Sequence, residues 1–127
     1  LRVLVTGDRY WVDRAYVFEQ LDKFHAAIPI TTLIQGLATG VDIQAHDWAK
    51  ARGVPLAESE PGKGGFPALW SQHHKAAGPI RNQQMIDEGK PDFGIAIHRD
   101  LAKSKGTKDM TERLTKAGIP WINLKGR

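Results

Sequence analysis

The stretch that most constrains this chain is the join between Thr31–Ile34, a short β-branched run, and an apolar helical face beginning near Val41. Eight residues, Gln35-Gly36-Leu37-Ala38-Thr39-Gly40-Val41-Asp42, make that join, and they include two glycines and an alanine. A short apolar run closed by glycine reads as a buried strand. Val41, Ala45, Trp48 and Ala49 then share one face of a helix running from about Gly40 to Arg52. Small residues between a strand and a helix let backbone amides face an anion at the helix start, where the helix dipole also favours negative charge. The G-x-x-x-G spacing is neither the G-x-G-x-x-G dinucleotide fingerprint nor a P-loop. Asp42 is suited either to capping the helix or to bonding a sugar hydroxyl.

The same alternation continues along the chain. Arg2–Thr6 predicts a strand that stops at Gly7, and Asp13 caps a helix with Val17, Leu21, Phe24 and Ile28 on one face, ended by Pro29. Arg52-Gly53-Val54-Pro55 and Ala117-Gly118-Ile119-Pro120 read as two equivalent helix-to-strand junctions, each with a left-handed glycine and a proline that opens a strand. Glu58–His74 has no clear period and is the longest irregular stretch. Further elements follow: a helix over about Pro79–Glu88, a strand over Asp92–Ile97, a helix over Gly106–Ala117 with Met110, Leu114 and Ala117 buried, and a strand over Trp121–Leu124. Alternating strands and helices predict one α/β domain over residues 1–127, a three-layer fold with a mainly parallel sheet flanked by helices. Ligands bind such folds at the carboxyl ends of the strands. The chemistry is therefore expected in the strand-to-helix turns.

Besides Gly36–Asp42, three turns qualify. Thr6-Gly7-Asp8-Arg9 offers a close backbone approach at Gly7 and a guanidinium at Arg9. Ala76-Ala77-Gly78-Pro79-Ile80-Arg81-Asn82 places Arg81 and Asn82 in the first turn of a helix, where the dipole disfavours a cation, so a ligand or a carboxylate partner is expected beside Arg81. Lys103-Ser104-Lys105-Gly106-Thr107 offers an amide, a hydroxyl and positive charge. The net charge of +4 suits an anionic ligand.

Composition narrows the classes. Hydrophobic residues make up 41% and charged residues 25% of the 127, the balance of a soluble globular chain. No apolar run approaches a membrane span, and no basic-then-apolar leader opens the sequence. The first residue, Leu1 and not Met, reads as a trimmed terminus. With no cysteine there is no disulfide, thiolate metal site or cysteine nucleophile, and a cytoplasmic setting fits. His46, His73 and His74 lack metal-ligand spacing, so neither a metal nor a cofactor is expected. The few aromatic residues are not interleaved with basic ones, which speaks against a base-stacking nucleic-acid platform.

Taken together, Thr6-Gly7-Asp8-Arg9 with Trp11, the Gly36–Asp42 turn with Ala45 and Trp48-Ala49, Gly53-Val54-Pro55, Lys75–Asn82 with Met85, and Pro91-Asp92 resemble the YspA/cpYpsA-related family of the SLOG superfamily over nearly the whole chain. The resemblance implies a Rossmann-like fold that binds a nucleotide or nucleotide-derived ligand, as a sensor in one reading, with self-association expected. Phosphate is then expected at the Gly36–Gly40 amides, Ala38 included, and at Gly106-Thr107. Arg9 and Arg81 would neutralise it beside Gly7, and Asp42 or Asn82 would bond sugar or base. Two relatives set the alternatives. LOG phosphoribohydrolases cleave the N-glycosidic bond of nucleoside monophosphates, but Met110 stands where their catalytic glutamate would be, and a helix turns the adjacent Asp109 about 100° away. The DprA/Smf group binds single-stranded DNA and shares the glycine-rich segment.

Overall fold

The computed structural model describes residues 1–127. Four parallel strands form one sheet in the order β2-β1-β3-β4, where β1 is Arg2–Gly7, β2 Thr32–Ile34, β3 Phe93–Ile97 and β4 Trp121–Leu124. Side chains alternate across a strand, so β1 feeds two cores. Val3 and Val5 face the helices α1 (Arg14–Ala27) and α2 (Val41–Arg52), meeting Val17, Leu21, Ala45 and Trp48. Leu4 faces the other side, with Met85 and Ile86 of α4 (Ala77–Gly89) and Met110 and Leu114 of α5 (Gly106–Lys116). The result is the expected three-layer α/β arrangement. Asp13 caps α1 by accepting from the Tyr16 amide, and Gly53 ends α2 at φ 68°.

Several details depart from the sequence reading. Ile28 lies past the last turn of α1 and Ala117 past that of α5, and both are exposed. After Pro55 there is a single parallel bridge, Leu33 to Leu56, and not a strand. Pro120 does precede β4. The irregular stretch holds a one-turn helix α3 (Trp70–His73), followed by a 3-10 turn over His74–Ala76 that leads into α4. Because α4 starts at Ala77, Arg81 and Asn82 fall in its second turn and not its first. No helix is long and apolar enough to cross a membrane.

The chain runs outward from β1 to β2 on one side, and β3 lies on the other side of β1. The strand order therefore reverses between β1 and β3, which leaves a crevice at their carboxyl ends. Gly7 pairs with Ile97 at that edge, and the Asp8 amide donates to the Ile97 carbonyl at 3.0 Å.

Candidate functional site

A cleft of about 720 Å³ opens at this crevice. Thr6–Tyr10, the end of β1 and the turn that follows it, forms one wall, with Ala38 and Asp42 from the glycine-rich turn. Gly78, Pro79, Arg81 and Asn82 of α4 form another. The segment from Lys103 to Thr107, together with Asp109, closes the third side at the start of α5. Of the ten residues singled out in the sequence, eight line this cleft, namely Gly7, Arg9, Ala38, Asp42, Arg81, Asn82, Gly106 and Thr107, while Gly36 packs against Arg81 and Gly40 against the Asp8–Arg9 backbone.

The glycine-rich turn is held mainly by its own chain. The Gly36 amide donates to Asp42 Oδ2 at 3.1 Å, the Leu37 amide to Gln35 Oε1 at 2.7 Å, and the Val41 amide to the Asp8 carbonyl at 3.2 Å. Those three amides are taken up within the chain. The glycines have another purpose. A Cβ on Gly36 would lie 2.8 Å from Cζ of Arg81, and one on Gly40 would collide with the backbone of Asp8 and Arg9. Both allow one part of the protein to approach another.

Asp42 is buried behind the turn. Burial pushes its carboxyl up to about 6, against the Arg81 charge and the Gly36 and Ala38 amides, which favour the ionised form. Arg81 is the cation that faces it. Its NH1 donates to the Gly36 carbonyl at 2.6 Å and to the Phe66 carbonyl at 3.3 Å, and its Nε donates to Asn82 Oδ1 at 3.1 Å. Burial lowers the Arg81 pKa, Asp42 raises it, and the like charge of Arg9 lowers it further. Asp42 is thus the carboxylate whose charge Arg81 feels, and Arg9 brings a second positive charge near it.

Asn82 is also committed. Its Nδ2 donates to the Gly106 carbonyl at 3.3 Å and to Asp109 Oδ2 at 2.9 Å, tying α4 to the start of α5. The Thr107 amide donates to Ser104 Oγ at 3.0 Å, so it is spent on capping, and Thr107 itself is buried. Gly106 is exposed at the mouth of α5.

Beyond those ten, the cleft gathers the lysines expected from the Lys103–Thr107 turn, and residues that the sequence did not single out. Lys75, Lys103 and Lys105 line it, and with Arg9 and Arg81 they make five cations against the three carboxylates Asp8, Asp42 and Asp109. Arg9, Lys75 and Lys105 form no ion pair. Tyr10 and Trp70, 78% and 52% exposed, place two aromatic rings at the rim. Tyr10 follows Arg9 directly, but Trp70 comes from the stretch without periodicity, and only the fold brings the two to one cleft. Met110 is fully buried in the core, while Asp109 lines the cleft. The 100° turn that removes residue 110 from the site is what delivers residue 109 to it. No group of histidines and carboxylates is placed to hold a metal ion.

Comparison with known proteins follows the same lines. Residues 1–64 match the model of the YspA, cpYpsA-related SLOG family. The chain is 34% identical to Gene 61 protein of Mycobacterium phage D29, an alignment that covers 97% of this chain and 95% of that protein. The X-ray structure of DNA processing protein A (DprA) from Streptococcus pneumoniae superposes with a TM-score of 0.72 at 18% identity, over 99% of this chain and 50% of that one. This chain therefore spans about half the length of that structure, and the likeness is one of fold.

Proposed function

Because this chain belongs to the YspA, cpYpsA-related SLOG family, we propose that its cleft binds a nucleotide or nucleotide-derived small molecule and that binding, not turnover, is its activity. One observation carries the reading: unpaired cations and exposed aromatic rings converge on a single cleft at the carboxyl edge of β1 and β3. Arg9 and the outer face of Arg81 suit a phosphate, which accepts paired hydrogen bonds from guanidinium groups. Lys75, Lys105 and the first turn of α5 add to the positive field. Tyr10 and Trp70 suit a base, since every base offers a face for stacking.

Calorimetry with a panel of nucleoside monophosphates tests this. Arg9→Ala is expected to weaken binding about tenfold or more, the worth of a charge-assisted hydrogen bond. Its melting temperature should stay unchanged, because Arg9 is exposed and unpaired. Trp70→Ala is expected to weaken binding by a similar factor and to remove the quenching of tryptophan fluorescence on binding. No heat with any nucleotide at millimolar concentration overturns the reading. Binding to single-stranded oligonucleotides that falls steeply with salt would redirect it towards nucleic acid, in line with the DNA processing for which the fold relative is named.

A second reading, hydrolysis of the N-glycosidic bond, is favoured by the presence of Asp109 in the cleft. Free base released from a nucleoside monophosphate, and not released by Asp109→Asn, selects it. No release at high protein concentration removes it.

A further inference from the structure

Asp42, the carboxylate that the sequence offers to a sugar, is buried and bonded to the glycine-rich turn. Asp109 is in a different state. Its Oδ2 takes two bonds, from Asn82 Nδ2 at 2.9 Å and from Arg113 Nε at 2.8 Å. Its Oδ1 takes none and is not among the buried unpartnered atoms, so it reaches solvent from a side chain 28% exposed that lines the cleft. The anchored oxygen fixes the direction of the free one. Asp8 is the other carboxylate in the cleft with an oxygen to spare, but its one bond is to the nearby Tyr10 amide at 2.9 Å.

A fixed carboxylate in a cationic cleft repels phosphate and calls for a neutral donor. The order of groups from the rim inward says which. The rings of Tyr10 and Trp70 are at the exposed rim, where a base would stack, and Asp109, less exposed, lies deeper, in the first turn of α5. The part of a nucleotide between its base and its phosphate is the sugar. Resting on the nucleotide reading above, we propose that Asp109 Oδ1 accepts a hydrogen bond from a ribose hydroxyl, making Asp109 the residue by which this cleft recognises the sugar of a nucleotide.

The test compares adenosine monophosphate with its 2′-deoxy and 3′-deoxy analogues by calorimetry. One of the analogues is expected to bind about ten- to a hundredfold more weakly to the wild-type protein, the range for a hydrogen bond to a charged group. Asp109→Asn sharpens the test. Asn82 and Arg113 both donate to the anchored position, so the carboxamide oxygen settles there and its NH2 group replaces Oδ1. The discrimination should fall to a few-fold in this variant, while Asp8→Asn should keep it. An unchanged melting temperature in Asp109→Asn excludes a general loss of structure. Equal binding of all three nucleotides to wild type, or discrimination that survives Asp109→Asn, overturns the assignment and leaves the nucleotide reading standing. Discrimination between adenosine and inosine monophosphate that Asp109→Asn removes, with none between the sugar analogues, also overturns it, since it would place Asp109 at the base. Failure of all of these nucleotides to bind defeats the underlying reading instead.

Discussion

Replacing Arg81 by alanine is expected to cost roughly 3–5 kcal/mol of stability at pH 8, and clearly less at pH 5. Arg81 faces Asp42, a buried carboxyl that is already pushed up to about 6 with the arginine present. Without it, an ionised Asp42 is a buried charge with no counter-ion, and its pKa rises further. At pH 8 the fold must either hold that charge or take up a proton, and both cost free energy. At pH 5 Asp42 is protonated in either protein. What remains is the loss of the bonds from Arg81 to the Gly36 and Phe66 carbonyls, about 1–2 kcal/mol. Urea denaturation at the two pH values checks this. An equal cost at both would mean that Asp42 does not feel Arg81.

The sign for the wild-type protein follows from the same group. The Asp42 pKa rises from 3.8 to about 6 on folding, so between these values the folded state holds a proton that the unfolded state has released. Stability from this group is full below about 3.8 and is lost as pH rises through about 6, by roughly 3 kcal/mol for a shift of this size. Asp22, lowered to about 2 chiefly by its bond to Arg52, acts in the opposite sense and at lower pH. Asp42→Asn is expected to flatten the curve between pH 4 and about 6.5. Combined with Arg81→Ala it should recover much of the loss at pH 8, because no buried charge is then left alone. Additive costs in the double variant would show that the pair is not coupled.

How much of this was legible differs between backbone and side chains. The β1–α1, β2–α2 and α5–β4 segments could be read because Val3, Leu4 and Val5 form an unbroken apolar run, and Val17 and Leu21, or Met110 and Leu114, recur on one helix face. Such patterns record burial directly. The start of α4 was missed because the Lys75-Ala76-Ala77-Gly78 run has no cap and no period; Pro79 looked like a first-turn proline and is the third residue of the helix. Position in a turn found most of the cleft, since a parallel sheet collects its strand-end turns at one edge. It did not find each residue's task. Whether Asp42 points at a ligand or at Gly36, and whether Asn82 reaches a base or Asp109, depends on contacts between segments 6 to 27 residues apart. Trp70 carried no signal beyond being aromatic, in a stretch whose path is set by bonds such as that of Gln35 Nε2 to the Gly64 carbonyl at 2.7 Å.

The two glycines Gly40 and Gly106 were given the same ligand-facing purpose by the sequence, and substitution should separate them. Gly40→Ala is expected to cost about 3 kcal/mol or more. Its φ of 79° is a conformation that an L side chain rarely adopts, worth roughly 1–3 kcal/mol in strain. The added Cβ would also fall 2.6 Å from the Arg9 carbonyl carbon, a backbone atom that cannot swing aside as a side chain would. Relief requires the Thr6–Arg9 turn to part from the Gln35–Asp42 turn, which breaks the bond from the Val41 amide to the Asp8 carbonyl and moves Arg9. Stability and nucleotide binding should therefore fall together. Gly106→Ala meets nothing within 4 Å and has no positive φ, so its stability should change by no more than about 0.5–1 kcal/mol, in the favourable direction that alanine brings to a helix. If phosphate approaches the first turn of α5 closely, binding falls in that variant while stability does not. A Gly40→Ala protein within 1 kcal/mol of wild type by urea denaturation would show that the two turns are not locked together.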